Sequence, residues 1–263
     1  MIKYFVVSDV HSFFYALMIA LHSKGFDENN SEHHLIICGD AFDRGNESKQ
    51  MFDFMQNLNN SSRLHYVRGN HEDLLFACVK SINRSVNVPY HHVTNGTVRT
   101  IADITDNSEF DIYLGITENK FHDKVDTLLR FVDSTTVDYY KLGKTLFVHG
   151  WVPTTVDIQG KTIIHKNYVD GDWSEARWSN GQQLFLKGLF PEDVDTVVCG
   201  HWHTSWGWSN IKHEGDEWGS RAIFKPLIHT NEEAKTIIAL DGCTAHTDIV
   251  NVVVFDEEGQ VVG

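Results

Sequence analysis

The sequence carries little positive charge. Its 22 lysine and arginine residues face 36 aspartate and glutamate residues, and the formal net charge is −14. Proteins that bind nucleic-acid backbones or anionic membranes favour basic surfaces, so we expect neither kind of partner. A substrate that carries a phosphate stays compatible with this charge, because bound cations can invert the local field.

Long apolar runs and paired cysteines are also missing. No apolar stretch approaches the roughly 20 residues of a membrane-spanning helix, and the first residues predict a strand rather than a secretion signal. The four cysteines show no CxxC spacing, and Cys38 and Cys199 lie within apolar runs, where cysteine behaves as a small hydrophobe. We therefore expect a reduced protein of the cytoplasm.

The first part of the chain alternates apolar strands with amphipathic helices. The patterns predict strands at Ile2–Val7, Leu35–Cys38 and Arg63–Val67. They also predict helices at Ser12–Lys24, with Ser12 as the cap, and at Glu47–Leu58. Such alternation is typical of parallel βαβ units.

The segment at residues 73–135 interrupts this alternation. Apolar residues recur with helical spacing at Leu74–Ile82, Val98–Ile104 and Phe121–Val132. We expect residues 1–263 to form one domain, in which this segment is a helical insertion that shapes the substrate site as a cap.

The rest of the chain predicts a second sheet. Val137–Leu142 and Lys144–Val148 flank Gly143 in the manner of a hairpin. Further strands, which suit an antiparallel sheet, are predicted near Ala222–Phe224, Thr236–Leu240 and Asn251–Phe255.

Several predicted strands end in polar residues that suit a metal ion. These residues are Asp9, His11, Asp40, Asn70, His149, His201 and His203. Ligand sites in open α/β sheets form at the carboxyl ends of strands, so these side chains can converge although they span most of the chain. Any one of them alone could equally be a helix cap or a hydrogen-bonded loop residue.

The donor types narrow the choice of metal. Carboxylate, imidazole and amide oxygen without thiolate select ions such as Mn²⁺, Fe or Zn²⁺ over copper(I) or an iron–sulfur cluster. There are enough ligands for two ions, which Asp40 by its position would bridge at a separation of roughly 3.5–4 Å. Two ions held in this way are what two-metal hydrolases require.

Five motifs together resemble the calcineurin-like metallophosphoesterases, with the bacterial and phage serine/threonine phosphoprotein phosphatases as the most similar branch. The motifs are Asp9-x-His11, Gly39-Asp40-x-x-Asp43-Arg44-Gly45, Arg68-Gly69-Asn70-His71-Glu72, His149-Gly150 and Gly200-His201. They leave the helical insertion and the tail unmatched. The resemblance implies an α/β fold, classed as α+β in some schemes: a four-layer β-sandwich flanked by helices, with two metal ions between the sheets.

The resemblance also implies roles for the matched residues. The first ion would take Asp9, His11 and Asp40, and the second would take Asp40, Asn70, His149 and His201. His71 paired with Asp43 would be the general acid, and Arg44 the phosphate clamp, while Asn70 and His71 would also contact the phosphate. The implied cofactor is a pair of divalent ions, with manganese first and iron, zinc or nickel as alternatives.

The chemistry of these side chains supports the implied roles independently. A cationic imidazole can protonate a leaving alkoxide, and a neighbouring carboxylate fixes its tautomer and favours the protonated form. The planar guanidinium of an arginine matches phosphate with two parallel hydrogen bonds.

Two residues lie at the margin of the resemblance. Gly200-His201-Trp202-His203 is similar to the GHxH motif of the wider superfamily, in which the second histidine also binds the first ion. Protein phosphatases usually lack that histidine, so His203 is either a ligand or a loop histidine. Its presence also weakens the inference that this chain has the substrates of the protein phosphatases. Arg177 lies where related enzymes carry a second phosphate-binding arginine, although the surrounding spacing is loose.

We therefore predict a metal-dependent hydrolase of phosphomonoesters, with phosphoserine and phosphothreonine proteins as the leading substrates. A hydrolase of diadenosine polyphosphates or similar nucleotides is the main alternative, and the insertion decides between the two. The charge of −14 disfavours a nuclease. A non-catalytic phosphate-binding module is disfavoured because every ligand and the acid are present.

Overall fold

Two five-stranded sheets form the centre of the fold, and a separate pair of strands lies apart from them. The computed structural model describes residues 1–83, 88–114, 121–219 and 223–263. The predicted strand near residues 222–224 falls partly outside these ranges.

The first sheet contains four consecutive parallel strands, which confirms the predicted βαβ alternation. Its members are β1 (Lys3–Val7), β2 (His33–Cys38), β3 (Leu64–Val67), β4 (Thr136–Val137) and β12 (Val253–Phe255). In the order β12-β1-β2-β3-β4, only β12 runs antiparallel to its neighbour. The carboxyl ends of β1, β2 and β3 therefore lie at one edge of the sheet.

The second sheet has the same parallel centre. Its members are β5 (Tyr140–Leu142), β6 (Thr145–Phe147), β9 (Thr196–Cys199), β10 (Leu227–Thr230) and β11 (Thr236–Ala239). In the order β10-β11-β9-β6-β5, the three inner strands are parallel and the two outer ones antiparallel. The separate pair consists of β7 (Thr154–Val156) and β8 (Thr162–Ile164). The carboxyl ends of β6, β9 and β11 thus share an edge.

The placement of two strands differs from the sequence prediction. Gly143 does join the predicted hairpin, as β5 and β6. Residues Thr136–Val137, however, form β4, which pairs with β3 in the first sheet. The tail strand β12 also joins the first sheet, where it pairs with β1. The tail strands therefore do not make one antiparallel sheet. Apolar alternation could not reveal this, because β12 is buried on both faces and fits either sheet.

Eleven α-helices accompany the sheets in the described ranges. They are α1 (Phe14–Ser23), α2 (Ser48–Asn60), α3 (Asn70–Asn83), α4 (Tyr90–Thr94), α5 (Thr97–Thr105), α6 (Glu109–Leu114), α7 (Phe121–Thr135), α8 (Trp173–Ala176), α9 (Gly181–Leu186), α10 (Thr204–Ile211) and α11 (Thr244–Thr247). None of those described is long and apolar enough to cross a membrane.

The start of α1 also differs from the prediction. Phe13, not Ser12, is the residue before the first helical turn, and no side chain caps it. Ser12 has a left-handed backbone (φ 60°) and accepts a hydrogen bond from the Ser48 hydroxyl at 2.9 Å. The hydrogen bond therefore links the loop before α1 to the first residue of α2.

Alternate residues of the strands enter different cores. Val7 packs among helix side chains on the outer face of the first sheet, whereas Val6 packs against Phe147 between the two sheets. On the outer face of the second sheet, Leu146 packs against Phe185 of α9. The layers run helix, sheet, sheet, helix, which confirms the predicted four-layer sandwich.

The helices of residues 73–135 share the first of these cores. Leu75 of α3, Ile101 of α5 and Leu128 of α7 lie in one buried cluster with Met55 of α2. The three predicted helical segments correspond to α3, α5 and α7. The sequence did not predict α4 and α6, which have too few turns for a clear apolar period.

A group of aromatic and imidazole rings lies on β2, β3 and β5. His34 of β2 and His65 of β3 stack with ring centroids 5.4 Å apart, and their ring nitrogens approach to 3.1 Å. Tyr140 stacks on His65 at 4.3 Å. Burial, followed by the charge of His34, lowers the pKa of His65 to about 4.

The folded protein should therefore lose stability in mild acid through His65. Its pKa lies below the unfolded value of roughly 6.5, so the unfolded chain takes up a proton between these two values and the folded chain does not. The parent protein should lose unfolding free energy as the pH falls from about 7 to about 5. We expect this loss to be smaller by about 1 kcal/mol in His65→Phe, a value that allows for the partial exposure of His65.

Chemical denaturation at both pH values, with a chelator present, checks this expectation. His22→Phe, at an exposed position of α1, is the matched control. Equal pH dependence in the His65 variant and the parent protein would contradict it.

Candidate metal centre

The predicted ligands converge at one edge of the sandwich, around Asp40. The Asp40 Oδ1 atom lies 3.4 Å from His149 Nε2. Its Oδ2 atom lies 3.9 Å from the Nε2 atoms of both His11 and His71. Two groups that could hold a metal share this carboxylate: Asp40 with His11 and His71, and Asp40 with His149 and His201.

The turns after the strands have an uncommon backbone. Left-handed φ values between 52° and 75° occur at Asp9, His11, Asp40, Asp43, Arg44 and His201. Such values are costly for residues other than glycine and persist only where the surroundings enforce them. At each of these turns the backbone bends sharply away from its strand, so that the side chains lie at the edge of the sheet.

Glycine is required next to these turns because backbones approach the carboxylates closely. A Cβ atom on Gly200 would lie 2.1 Å from Asp9 Oδ2, and one on Gly69 would lie 2.2 Å from Asp40 Oδ1. Both distances are shorter than any real Cβ contact, so a side chain at either position would displace a carboxylate.

Asp9 connects the two sheets. Its Oδ2 atom accepts hydrogen bonds from the Ser8 hydroxyl and, at 2.9 Å, from the backbone N–H of His201. Burial raises the pKa of Asp9 to about 6. The carboxylate thus fixes the turn after β1 against the turn after β9.

Two histidines have their tautomers fixed by backbone carbonyls. His11 donates its Nδ1–H to the Phe42 carbonyl at 3.0 Å, and His149 donates its Nδ1–H to the Cys38 carbonyl at 2.8 Å. A carbonyl only accepts, so each neutral ring has its lone pair on Nε2. In both rings Nε2 is the atom near Asp40, which is the arrangement of a metal-ligating histidine.

Acceptor atoms crowd around His149. Its Nε2 atom lies 2.8 Å from Asn70 Oδ1 as well as near Asp40. Burial disfavours a charge on this ring, yet the carboxylates of Asp40 and Asp9 raise the pKa of His149 to about 10. Positive charge therefore stabilises this cluster of acceptor atoms. A divalent cation would supply that charge and would take the carboxylate, amide and imidazole lone pairs as ligands.

His203 has the same electronic arrangement as His11 and His149. Ser205 donates its hydroxyl hydrogen to the Glu217 carbonyl, so its oxygen accepts the Nδ1–H of His203 at 2.8 Å. The Nε2 lone pair is buried and has no partner in the described chain. A buried, unpaired lone pair fits a metal ligand, although neither three-residue group includes His203. Its place at the first ion stays a prediction.

His71, Asp43 and Arg44 form a connected set beside Asp40. His71 donates its Nδ1–H to Asp43 Oδ2 at 2.7 Å, and Arg44 Nη2 lies 3.3 Å from His71 Nε2. Burial opposes charge on His71, but the carboxylates of Asp40 and Asp43 raise the pKa of the imidazole. The ring is therefore suited to carry a proton at Nε2.

A family model described as calcineurin-like phosphoesterase matches residues 2–205. The chain belongs to this family. Phosphoesterases of this family hydrolyse phosphoesters at a dinuclear metal centre. No curated protein sequence matches the chain significantly.

Several solved structures are similar to this phosphoesterase. A cold-active protein-tyrosine phosphatase of a psychrophilic Shewanella species has 16% identity and a TM-score of 0.50, with 98% of this chain and 76% of that chain covered. A metallophosphoesterase from Sphaerobacter thermophilus has 13% identity and a TM-score of 0.48, with 100% and 88% covered. A serine/threonine phosphatase from Saccharomyces cerevisiae has 13% identity and a TM-score of 0.45, with 97% and 80% covered. At 16% identity the likeness to the first of these structures shows the fold alone.

The donor set of the phosphoesterase fits two hard or borderline divalent ions. It offers carboxylate oxygens, an amide oxygen and imidazole lone pairs, while the four cysteines lie outside both groups. Asp40 is the carboxylate common to both groups, as the position of its motif predicts. The structure also places His71 within the first group, where the sequence predicted an acid rather than a ligand.

Arg177 is the predicted site residue that is engaged elsewhere. Its Nη1 atom donates to Asp73 at 2.8 Å, and its Nη2 atom donates to Asp138. A phosphate would have to replace one of these carboxylates to reach the guanidinium. The predicted phosphate contact of Arg177 therefore stays a prediction.

The sequence analysis missed the two threonines that hold Asp43. Thr97 Oγ1 donates to Asp43 Oδ2 at 2.8 Å, and Thr100 Oγ1 donates to Asp43 Oδ1 at 2.9 Å. Thr100 also accepts the backbone N–H of Asp43 at 2.9 Å. Both threonines belong to α5, so the 73–135 segment positions the partner of His71. Nothing in the sequence marks this contact.

Glu72 is a second supporting residue whose role was not predicted. Its Oε2 atom accepts the N–H groups of Gly69 and Asp40 at 2.7 and 3.0 Å, and its Oε1 atom accepts those of Ala41 and the Tyr66 hydroxyl. The buried carboxylate thus ties the turn after β2 to the turn after β3. Its position within the Arg68–Glu72 motif was the available signal.

Asp241 extends the pattern of polar strand ends to β11. Its Oδ1 atom accepts the Cys243 N–H at 2.7 Å, while burial, followed by the charge of Asp9, raises the pKa of Asp241 well above its usual range. The residue follows an apolar strand like the other candidates, so the sequence contained the signal.

Two exposed tryptophans lie over candidate ligands. Trp178 is 53% exposed with its ring 5.8 Å from that of His201, and Trp218 is 68% exposed with its ring 4.1 Å from that of His203. Large aromatic rings this exposed beside a polar site are candidates for contact with a ligand.

Proposed function

We propose that this phosphoesterase is a phosphomonoesterase that removes phosphate from phosphoserine and phosphothreonine in proteins, with Mn²⁺ as the leading metal. The observation that carries the proposal is the set His71–Asp43–Arg44 next to the shared carboxylate Asp40. It combines a proton donor and an anion-binding guanidinium with a place for two cations.

The ligand sets follow from the donors described above. We assign Asp9, His11, Asp40 and His203 to one ion and Asp40, Asn70, His149 and His201 to the other. The fixed Nδ1–H donations of His11, His149 and His203 support these assignments. When bound, the two ions supply a water of lowered pKa and neutralise charge on the phosphoryl oxygens.

Arg44 and Asn70 are assigned to phosphate binding. The Arg44 side chain is exposed, carries a permanent charge and reaches the Nε2 atom of His71. A phosphoryl group that accepts from this guanidinium would therefore lie next to the acid. The arrangement orients the leaving oxygen toward His71.

His71 is assigned to donate the proton that the leaving oxygen needs. Asp43 accepts its Nδ1–H, and the threonine hydroxyls of α5 prevent that carboxylate from turning away. The proton at Nε2 passes to the leaving alkoxide as the bond from phosphorus to that oxygen breaks. The neutral imidazole that results keeps its hydrogen bond to Asp43.

The need for an acid favours alkyl monoesters over polyphosphates. Serine and threonine alkoxides are strongly basic leaving groups and gain much from protonation, whereas a phosphate leaving group gains little. A buried, carboxylate-supported imidazole beside the centre therefore supports the protein phosphatase assignment.

One observation favours a second candidate, the hydrolysis of nucleotides such as diadenosine polyphosphates. The exposed rings of Trp178 and Trp218 could stack on a nucleobase. A peptide side chain could use the same rings, so this function ranks second.

Turnover of matched substrates tests the proposal. With Mn²⁺ present, we expect the purified protein to hydrolyse para-nitrophenyl phosphate and a phosphoserine peptide, and to cleave diadenosine tetraphosphate at least about tenfold less efficiently. A preference for the dinucleotide would establish the second candidate instead. No metal binding and no turnover of any of the three would show that the chain is not an enzyme.

The acid role of His71 has its own test. We expect His71→Asn to lower the rate of hydrolysis of alkyl phosphates by about 10²- to 10⁴-fold, the usual range for a general acid. The rate for para-nitrophenyl phosphate should fall much less, because its leaving group needs little protonation. Steady-state kinetics over a series of leaving groups measures this difference, with metal content determined in parallel. Equal losses for good and poor leaving groups, with metal retained, would argue that His71 acts in another way.

A further inference from the structure

A cavity of about 380 Å³ opens beside Arg44. Its walls come from the α4–α5 region and from α11, and include Arg44, Thr94, Asn95, Gly96, Arg99 and His246. The volume lies within the range of small-molecule and side-chain pockets. Residues 245 and 246 lie beyond the part of the chain that the family model matches.

The cavity is joined rigidly to the candidate acid. Gly96 packs directly on the Arg44 backbone, since a Cβ atom there would lie 2.1 Å from the Arg44 nitrogen. Arg99 donates an Nη1–H to the Arg44 carbonyl at 3.0 Å. The same helix, α5, holds Asp43 through Thr97 and Thr100. A group bound in the cavity would therefore have a fixed position relative to His71.

The charge of the cavity is opposite to that of the whole chain. The chain has a formal net charge of −14, whereas two arginines and one histidine, and no carboxylate, are among the described residues that line the cavity. Arg99 pairs with Glu109 through Nε at 2.8 Å and with the Arg44 carbonyl through Nη1. In the described chain its Nη2 atom has no hydrogen bond, so two N–H groups stay free for an anion.

We propose that this cavity binds an acidic side chain next to the phosphorylated serine or threonine, and so selects phosphorylation sites with glutamate or aspartate as an immediate neighbour. The inference rests on the proposed protein phosphatase function. Arg44 contacts the atom of His71 that faces the leaving oxygen, so the cavity lies on the leaving-group side. The peptide backbone around the phosphorylated residue leaves the centre on that side.

Phosphopeptides that differ at one residue test the proposal. The peptides carry Glu, Gln or Lys directly before or after phosphoserine, and Glu and Gln match in size. We expect kcat/KM for the better Glu peptide to exceed that of its Gln counterpart by about fivefold, as suits one exposed ion pair. Added salt should reduce this ratio.

Variants of Arg99 test whether this residue binds the acidic side chain of the peptide. Arg99→Gln should bring the ratio of Glu to Gln peptide to about one, and Arg99→Lys should keep most of it because the positive charge remains. Arg130→Gln, on the exposed side of α7, is the matched control and should keep the full ratio. Fluorescence anisotropy of the same peptides with a phosphonate in place of the phosphate should show the same ratios in Kd.

The outcomes separate the two proposals. Equal kcat/KM and equal Kd for Glu and Gln peptides, with good turnover of both, would overturn the acidic selection and leave the phosphatase assignment intact. A preference that survives in Arg99→Gln would place the acidic group elsewhere. Turnover of para-nitrophenyl phosphate without turnover of any phosphopeptide would overturn both the peptide substrate and the acidic selection.

Discussion

The crowding of acceptor atoms around Asp40 is the constraint on which the rest of the site depends. The Asp40 carboxylate lies within 4 Å of the Nε2 atoms of His11 and His149, and His149 Nε2 lies 2.8 Å from the Asn70 amide oxygen. Such groups are costly to bury without compensating positive charge. The surrounding structure holds them there with left-handed turns, close glycines and the four hydrogen bonds accepted by Glu72. A site that exists only at this cost is organised for cations, and the family to which the chain belongs uses two of them.

The same carboxylates also favour the role proposed for His71 as the general acid. The carboxylates that demand cations also raise the pKa of His71, and α5 directs Asp43 to its Nδ1–H. One helix of the 73–135 segment thus fixes the acid pair on its inner side and presents Arg99 to the neighbouring cavity. We propose that this segment acts as a cap that couples proton donation to substrate choice.

Much of the fold and of the site follows from local sequence, and the rest does not. Apolar strands that end in Asp9, Asp40 and Asn70 predicted the parallel first sheet, and the polar strand ends together predicted the convergence, because parallel strands bring their carboxyl ends to one edge. The parallel centre of the second sheet was not predicted, since its later strands suited an antiparallel sheet. The sheet to which β12 belongs could not be predicted, since burial on both faces fits either sheet. The hydrogen bonds from the Thr97 and Thr100 hydroxyls to Asp43 could not be predicted either. These threonines are separated from Asp43 by 54 and 57 positions and belong to no motif. Contacts of this kind depend on how segments that are distant in sequence pack together.

The central claim is that Asp40 is shared by two metal ions. Electron paramagnetic resonance of the protein saturated with Mn²⁺ tests it directly, because two manganese ions bridged by one carboxylate are close enough for exchange coupling. We predict a coupled-pair spectrum for the parent protein and the spectrum of isolated ions for Asp40→Asn, with Asp126→Asn on the exposed face of α7 as the unchanged control. Isolated ions in the parent protein, or a coupled pair that survives in Asp40→Asn, would contradict the claim.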